Sequence, residues 1–258
     1  MLFDKRLEGR AKELYDKLYT VEFDAISLQK ELETGKYDAA TVNVAAIEYV
    51  DDCGHSYDSG SIDWNEYNPD ATVPGYESSH MAEAIRLLLE YGLDPNKIIW
   101  GDNHLGGFEE CNIMEQIQRV FNGHQAADSL YLLLNHGGNP NLKIDNTYLY
   151  TEPDWDIGFD TANREDMISD GMYEAKLHYW FVLVGFRADY PGAELPLKPV
   201  KGFDLSKLKE HKHFYAGVIR SDGTEADWKL CVFDRHTNRE VARLSLFAGK
   251  ELRNWSET

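Results

Sequence analysis

Leu87-Leu88-Leu89-Glu90-Tyr91-Gly92-Leu93-Asp94-Pro95-Asn96 returns 45 residues later as Leu132-Leu133-Leu134-Asn135-His136-Gly137-Gly138-Asn139-Pro140-Asn141. The shared pattern, L-L-L-x-x-G-x-[DN]-P-N, joins an apolar helical run to a glycine and then to a proline turn. Glycine populates the left-handed conformation that ends helices, and proline shortly afterwards stops the helix from resuming. The chain therefore contains an internal repeat of helical units. Units of this length cannot bury an apolar face alone and stack on their neighbours. Such stacks present surfaces, and function is sought first in what projects from them.

Working outward, residues 4 to 19 place Leu7, Ala11, Leu14, Tyr15 and Leu18 at helical spacing and predict an amphipathic capping helix. Helices are predicted at about 22 to 34, closed by Gly35, and from an Asp38 N-cap to Val50, the two forming a hairpin about Gly35-Lys36-Tyr37. From Cys53 to Ser78 the glycines and prolines predict a long loop. A helix follows from a Ser78/Ser79 cap to Tyr91, then a loop over 97 to 110, then a helical hairpin of 112 to 121 and 125 to 136. An acidic aromatic stretch, 145 to 170, precedes a buried helix at 172 to 184 that ends at Gly185, where Gly185 to Asp189 resembles a decayed further copy of the turn. Pro191, Pro196 and Pro199 mark a linker, and beyond it a short helix near 204 to 210 leads into apolar runs at 213 to 219, 228 to 233 and 240 to 246. Ser221-Asp222-Gly223 and Arg235-His236-Thr237-Asn238 separate these runs and predict an antiparallel meander. The expected architecture is mainly α within an α+β class, with a helical domain over 1–195, its cap at 1–20, and a small β-rich module over 201–258.

The chain carries a net charge of −19, and residues 201 to 258 hold 11 Lys+Arg against 9 Asp+Glu, leaving 15 against 36 upstream. Acidity of this kind keeps a bacterial-type cytosolic protein soluble, and it also suits a basic partner. It disfavours direct nucleic-acid binding, which draws on clustered Lys and Arg, because residues 37 to 112 contain only Arg86 and Lys97. Cys53, Cys111 and Cys231 form neither a disulfide framework nor a metal knuckle. No apolar leader or membrane-length run is present, so the expectation is a cytoplasmic protein that is neither exported nor membrane-bound.

The two copies of the Leu-Leu-Leu to Pro-Asn segment resemble the end of an ankyrin repeat, and Asn122-Gly123-His124 resembles the turn between the helices of one repeat. Asn112-Ile113-Met114 stands where that family places Pro-Leu-His. The period is 45 to 48 residues where the family has 33, so the loops are enlarged. The resemblance covers residues 22 to 190 at most and is carried by 79 to 141; a different α-solenoid is the structural alternative. It implies protein recognition through loop tips and the concave face of the inner helices.

Those loops combine aromatic side chains with carboxylates: Asp58, Asp63, Trp64, Glu66 and Tyr67; Trp100, Asp102, Phe108, Glu109 and Glu110; Tyr148, Asp154, Trp155, Asp156 and Asp160. Aromatics anchor interfaces while carboxylates steer a basic partner. The competing reading packs the same aromatics back onto the stack. Asp154, Asp156, Asp160 and Glu165 loosely mimic a calcium loop, but the glycine is one place early and the fifth ligand is missing. His211-x-His213 on one side of a strand and Cys53-x-His55 are the zinc candidates. Phosphate-binding glycine motifs and a nucleophile elbow are missing, and no cofactor is implied. The leading expectation is a non-enzymatic protein-interaction scaffold for a basic protein. The alternatives are a metal-dependent enzyme or hydrolase in the acidic loops, and an immunity-type inhibitor of a basic toxin.

Overall fold

A computed structural model describes residues 7–20, 23–58, 80–103, 107–119, 123–144, 147–148, 182–183, 185–186, 197–219 and 229–245. These residues form mixed α and β structure in two packed units, Met1–Tyr179 and Trp180–Thr258.

In the first unit the helices are α1 (Gly9–Leu18), α2 (Ala25–Leu32), α3 (Ala39–Asp58), α4 (His80–Glu90), α5 (Ile113–Arg119) and α6 (Gly123–Asn135). They pack in two rows. The odd helices run α1 on α3 and α3 on α5, while α2 lies on α4 and α4 on α6, with α3 touching α4 and α5 touching α6 across the rows. Each row buries the apolar stripe that its spacing predicts: Leu14 and Leu18 of α1, Val42, Ala45, Ala46 and Val50 of α3, Met81, Ile85, Leu87 and Leu88 of α4, and Leu130 and Leu133 of α6. Burying one such large aliphatic side chain contributes about 1.5–3 kcal/mol.

The Asp24 carboxylate accepts from the N–H groups of Ile26 and Ser27 to cap α2, and the expected Asp38 cap accepts from Thr41 N–H at 2.8 Å. Two expectations change here. The helix predicted to stop at Val50 continues to Asp58, so Cys53 to Asp58, expected to open the long loop, are helical: Gly54 costs a helix about 1 kcal/mol relative to Ala but does not by itself end it. The Gly35 turn, expected inside a hairpin, joins two helices that pack mainly on other partners, α2 on α4, and α3 on α1 and α5. Gly35, at φ +68°, thus ends α2 in the conformation that Gly92 and Gly137 adopt after α4 and α6.

The predicted loop over 97–110 is corrected to an antiparallel ribbon of β1 (Ile98–Asn103) and β2 (Gly107–Asn112), and a shorter ribbon, β3 (Lys143–Ile144) with β4 (Thr147–Tyr148), follows α6. Gly101 and Gly107 read as loop punctuation in the sequence, yet they lie within β1 and β2, whose other residues, among them Ile98-Ile99-Trp100 and Phe108 to Cys111, are strand-forming.

The second unit holds a four-stranded antiparallel sheet in the order β5 (Lys198–Pro199), β8 (Arg239–Ser245), β7 (Lys229–Asp234), β6 (Phe214–Ile219). The three predicted meander strands are present, and the linker adds β5, where Pro199 sits on an edge that asks no N–H of it. Phe214, Ala216, Val232 and Ala242 are buried on one face of the sheet, with Phe203 edge-on to Phe214 at 5.7 Å, and Leu197 and Leu208 are buried in the same unit. The helix over 204–210 is realised as two 3-10 turns, Leu205–Lys209 and His211–His213. Gly185 does not close a helix as expected: Gly185 and Phe186 are themselves helical, and a Cβ at Gly185 would lie 2.9 Å from Leu208. That glycine serves close packing within its own unit, not a turn of the repeat.

Candidate interaction surface

The repeated turns are built identically at the backbone. Leu93 N–H donates to Leu88 C=O at 2.9 Å and Gly138 N–H to Leu133 C=O at 2.9 Å, which satisfies carbonyls that a helix end leaves open. Asp94 Oδ1 then accepts from Asn96 N–H, and Asn139 Oδ1 from Asn141 N–H, at 2.9 and 2.8 Å. A carboxamide clasps each turn from outside it. Asn43 of α3 donates to Gly92 C=O at 3.0 Å and accepts from Asp94 N–H at 3.1 Å. Asn96, in the first turn, does the same for the second, donating to Gly137 C=O at 3.0 Å and accepting from Asn139 N–H at 2.7 Å. Asn43 is also nearly fully buried.

A third carboxamide fixes the ribbon. Asn112, fully buried, donates to Pro95 C=O at 2.9 Å and Lys97 C=O at 2.8 Å and accepts from Met114 N–H at 2.8 Å. It therefore holds both ends of the β1–β2 hairpin and caps α5 at once. From this base the register sets Trp100 opposite Glu110 and Asp102 opposite Phe108. Residues two apart on a strand share a face, so these four positions lie on one side of the ribbon. The β3 strand of the shorter ribbon neighbours β2.

Of the residues singled out in the sequence, the structure brings Trp100, Asp102, Phe108 and Glu110 together in this way. Asp58 ends α3. Asp63, Trp64, Glu66, Tyr67, Asp154, Trp155, Asp156, Asp160 and Glu165 lie outside the described residues, as does the Ser78/Ser79 cap.

The charge around the ribbon follows from where the cations go. Arg86 is occupied by Glu83 and Glu90 on its own helix, each at 2.7 Å, and its guanidinium holds the Glu83 carboxyl below the usual carboxylate range. Lys36 bridges Glu13 and Glu31, and Lys17 joins Glu31 at 2.8 Å. Hydrogen bonds from Lys17, then Tyr37 and Lys36, hold the Glu31 carboxyl low as well. The Tyr15 hydroxyl of α1 donates to Asp52 of α3, and burial pushes that hydroxyl upward. No Lys or Arg besides Arg86 and Lys97 lies between residues 37 and 112, so the ribbon's Asp102, Glu109 and Glu110 have few cations of their own segment to meet.

The chemical alternatives fare as follows. Burial pushes the Cys53 thiol up to about 12, the opposite of what a nucleophile needs, and Cys111 and Cys231 are buried and form no disulfide. His211-x-His213 does not present both imidazoles on one side of a strand. The pair lies in a 3-10 turn, where residues two apart diverge, and His211 is buried while His213 is exposed. Among the described residues, no group of three or more His, Cys, Asp or Glu could hold a metal ion, and no helix is long and apolar enough to cross a membrane.

The carboxamide clasps escaped the sequence reading. Their one signal was a polar residue, Asn43, inside the apolar run Ala39 to Ile47, together with the third residue of each Asp/Asn-Pro-Asn turn. Comparison with known proteins adds no relative: no family model, no curated protein and no solved structure matches the chain.

Proposed function

We propose that the protein is a non-enzymatic, cytoplasmic interaction scaffold, in which an ankyrin-like stack of helical hairpins presents acidic, aromatic loops to a basic protein partner. The observation that carries this reading is the β1–β2 ribbon, anchored at its base by buried Asn112 and bearing Trp100, Asp102, Phe108 and Glu110 at facing register positions. A projecting, preorganised ribbon lowers the ordering cost of association, and an aromatic residue beside a carboxylate supplies both anchor and steering. The two helix rows, with a ribbon between one pair of helices and the next, support the likeness to ankyrin repeats. The raised Cys53 thiol speaks against a thiol hydrolase at that position.

The test is capture of partners from host extract at low and moderate salt by the wild type, by Trp100→Ala/Phe108→Ala, and by Asp102→Asn/Glu109→Gln/Glu110→Gln. A basic protein should be retained by the wild type and released as screening rises. Both variants should bind it at least about tenfold more weakly. Equal retention by all three proteins, or binding indifferent to salt, would refute the assignment of this surface.

A further inference from the structure

We propose that the face of the second unit's sheet built around Tyr215 and Phe233 binds single-stranded nucleic acid. Phe214, Ala216, Val232 and Ala242 are buried on one face of that sheet, so Tyr215, Phe233 and Arg243, each one residue further along its strand, stand on the other. There Tyr215 of β6 pairs with Phe233 of β7, and their rings stack with centroids 5.1 Å apart and 18° between planes. The Arg235 guanidinium lies over the Tyr215 ring at 5.7 Å, and its Nε donates to Phe214 C=O at 2.9 Å, which fixes it there. Tyr215, Phe233 and Arg235 are each half-buried, so part of every one stays open to a ligand. On the same face Arg243 of β8 pairs with Lys198 of β5, and both are exposed.

Charge selects the ligand. The unit holds five Lys+Arg against two Asp+Glu over 197–219 and four against two over 229–245. The shortage of cations over residues 37 to 112 therefore does not extend to it. Glu240, opposite Phe233, is the one acid that the described residues place on this face, and Arg243 holds it at 2.5 and 2.8 Å. Cations alone would serve any polyanion. Aromatic rings beside them favour one whose charges alternate with planar groups, because every base offers a face that stacks on Tyr, Phe or a guanidinium. A duplex hides those faces and an acidic polypeptide lacks them, which leaves a single strand. The acidic remainder of the chain repels a polyanion over a range that salt shortens to about 10 Å at 0.1 M, so at that salt the charges nearest the strand decide.

The test is fluorescence anisotropy of a labelled, mixed-sequence single-stranded RNA of about 12 nucleotides, titrated with the full chain from about 0.1 M salt upward. Binding should saturate, and its affinity should fall with salt at a log–log slope of about −2, as when Lys198, Arg235 and Arg243 each meet one phosphate. Lys198→Glu/Arg243→Glu, which changes only exposed side chains, should bind at least about tenfold more weakly and with a shallower slope, its circular dichroism unaltered. Tyr215→Leu, which keeps an apolar side chain on the sheet, should bind at least about fivefold more weakly. Unlabelled single strand should displace the probe far better than polyaspartate of matching charge. The proposal is overturned by absence of saturable binding in the wild type, or by wild-type affinity in either variant. Equal displacement by polyaspartate overturns it too and makes the face a site for an acidic protein.

Discussion

A methyl group placed on Gly92 would meet Ala39 Cβ at 3.2 Å in a backbone conformation, φ +109°, that side chains avoid. At Gly137 the backbone is also left-handed, φ +91°, but the space around the added Cβ is open. Gly92→Ala is thus expected to cost more than Gly137→Ala, about 2 kcal/mol or more against about 1, in urea unfolding of the two variants. Equal losses would mean that conformation alone decides, with no part for the contact to α3. Ionisable residues add a pH dependence. Burial raises the Cys53 thiol from 9.0 to about 12, and burial together with the Glu31 hydrogen bond raises the Tyr37 hydroxyl from 10.0 to about 12. Both groups are neutral in the fold and ionise more readily in the unfolded chain. The stability they protect is complete below about pH 9 and is lost as pH climbs toward 12. Urea midpoints should fall steadily above pH 9, and Cys53→Ala should flatten the fall; an identical slope in that variant would dismiss the thiol's share.

The turns that end α4 and α6 are secured by residues far away in sequence, whereas α2 and α3 start on local aspartate caps. Asn43 donates to Ala39 C=O as well as to Gly92 C=O, and it accepts from Asp94 N–H, so it ties the first turn of α3 to the end of α4. Asn43→Ala should cost about 1–3 kcal/mol in chemical denaturation, because it strands buried backbone groups. Asn96→Ala should cost less, its site being only half-buried. An Asn43→Ala protein as stable as wild type would show that water replaces the clasp. The same feature explains what was legible. The apolar stripes of α1, α4 and α6 and the three long strands of the second unit announce themselves through local periodicity, and Gly92 and Gly137 through their repeat. The clasps depend on partners some 40 to 50 residues apart, and the row to which each helix belongs on packing between helices, which no local pattern encodes; the β1–β2 ribbon pairs near neighbours, Asn103 with Gly107 at its tip, but its glycines read as a loop. Facing positions such as Trp100 and Glu110 were legible as an aromatic–acidic composition but not as a register. The edge strand β5 was hidden because Pro199 reads as a linker unless an edge is already known to exist.

Charge acts across the entire chain. The 15 Lys+Arg against 36 Asp+Glu upstream of residue 201 leave that part at −21, and the ion pairs that do form there, such as Arg86 with Glu83 and Glu90 or Lys17 with Glu31, are partly exposed. Exposed pairs contribute little, whereas unbalanced like charge opposes compactness over distances that salt shortens to about 10 Å at 0.1 M. Raising sodium chloride from about 20 to 300 mM is therefore expected to raise the thermal midpoint by a few degrees in a melting scan. A lower midpoint would mean that the ion pairs outweigh the repulsion. One consequence of the Asn96 clasp reaches past stability altogether. The segment Gly92 to Asn96 carries both halves of a coupling, a socket that Asn43 fills and a plug, Asn96, that fills the next socket at Gly137 to Asn139. A chain joined in this way can gain or lose a 45-residue unit without redesigning the joint, so the number of units is free to drift while the fit between neighbours stays the same.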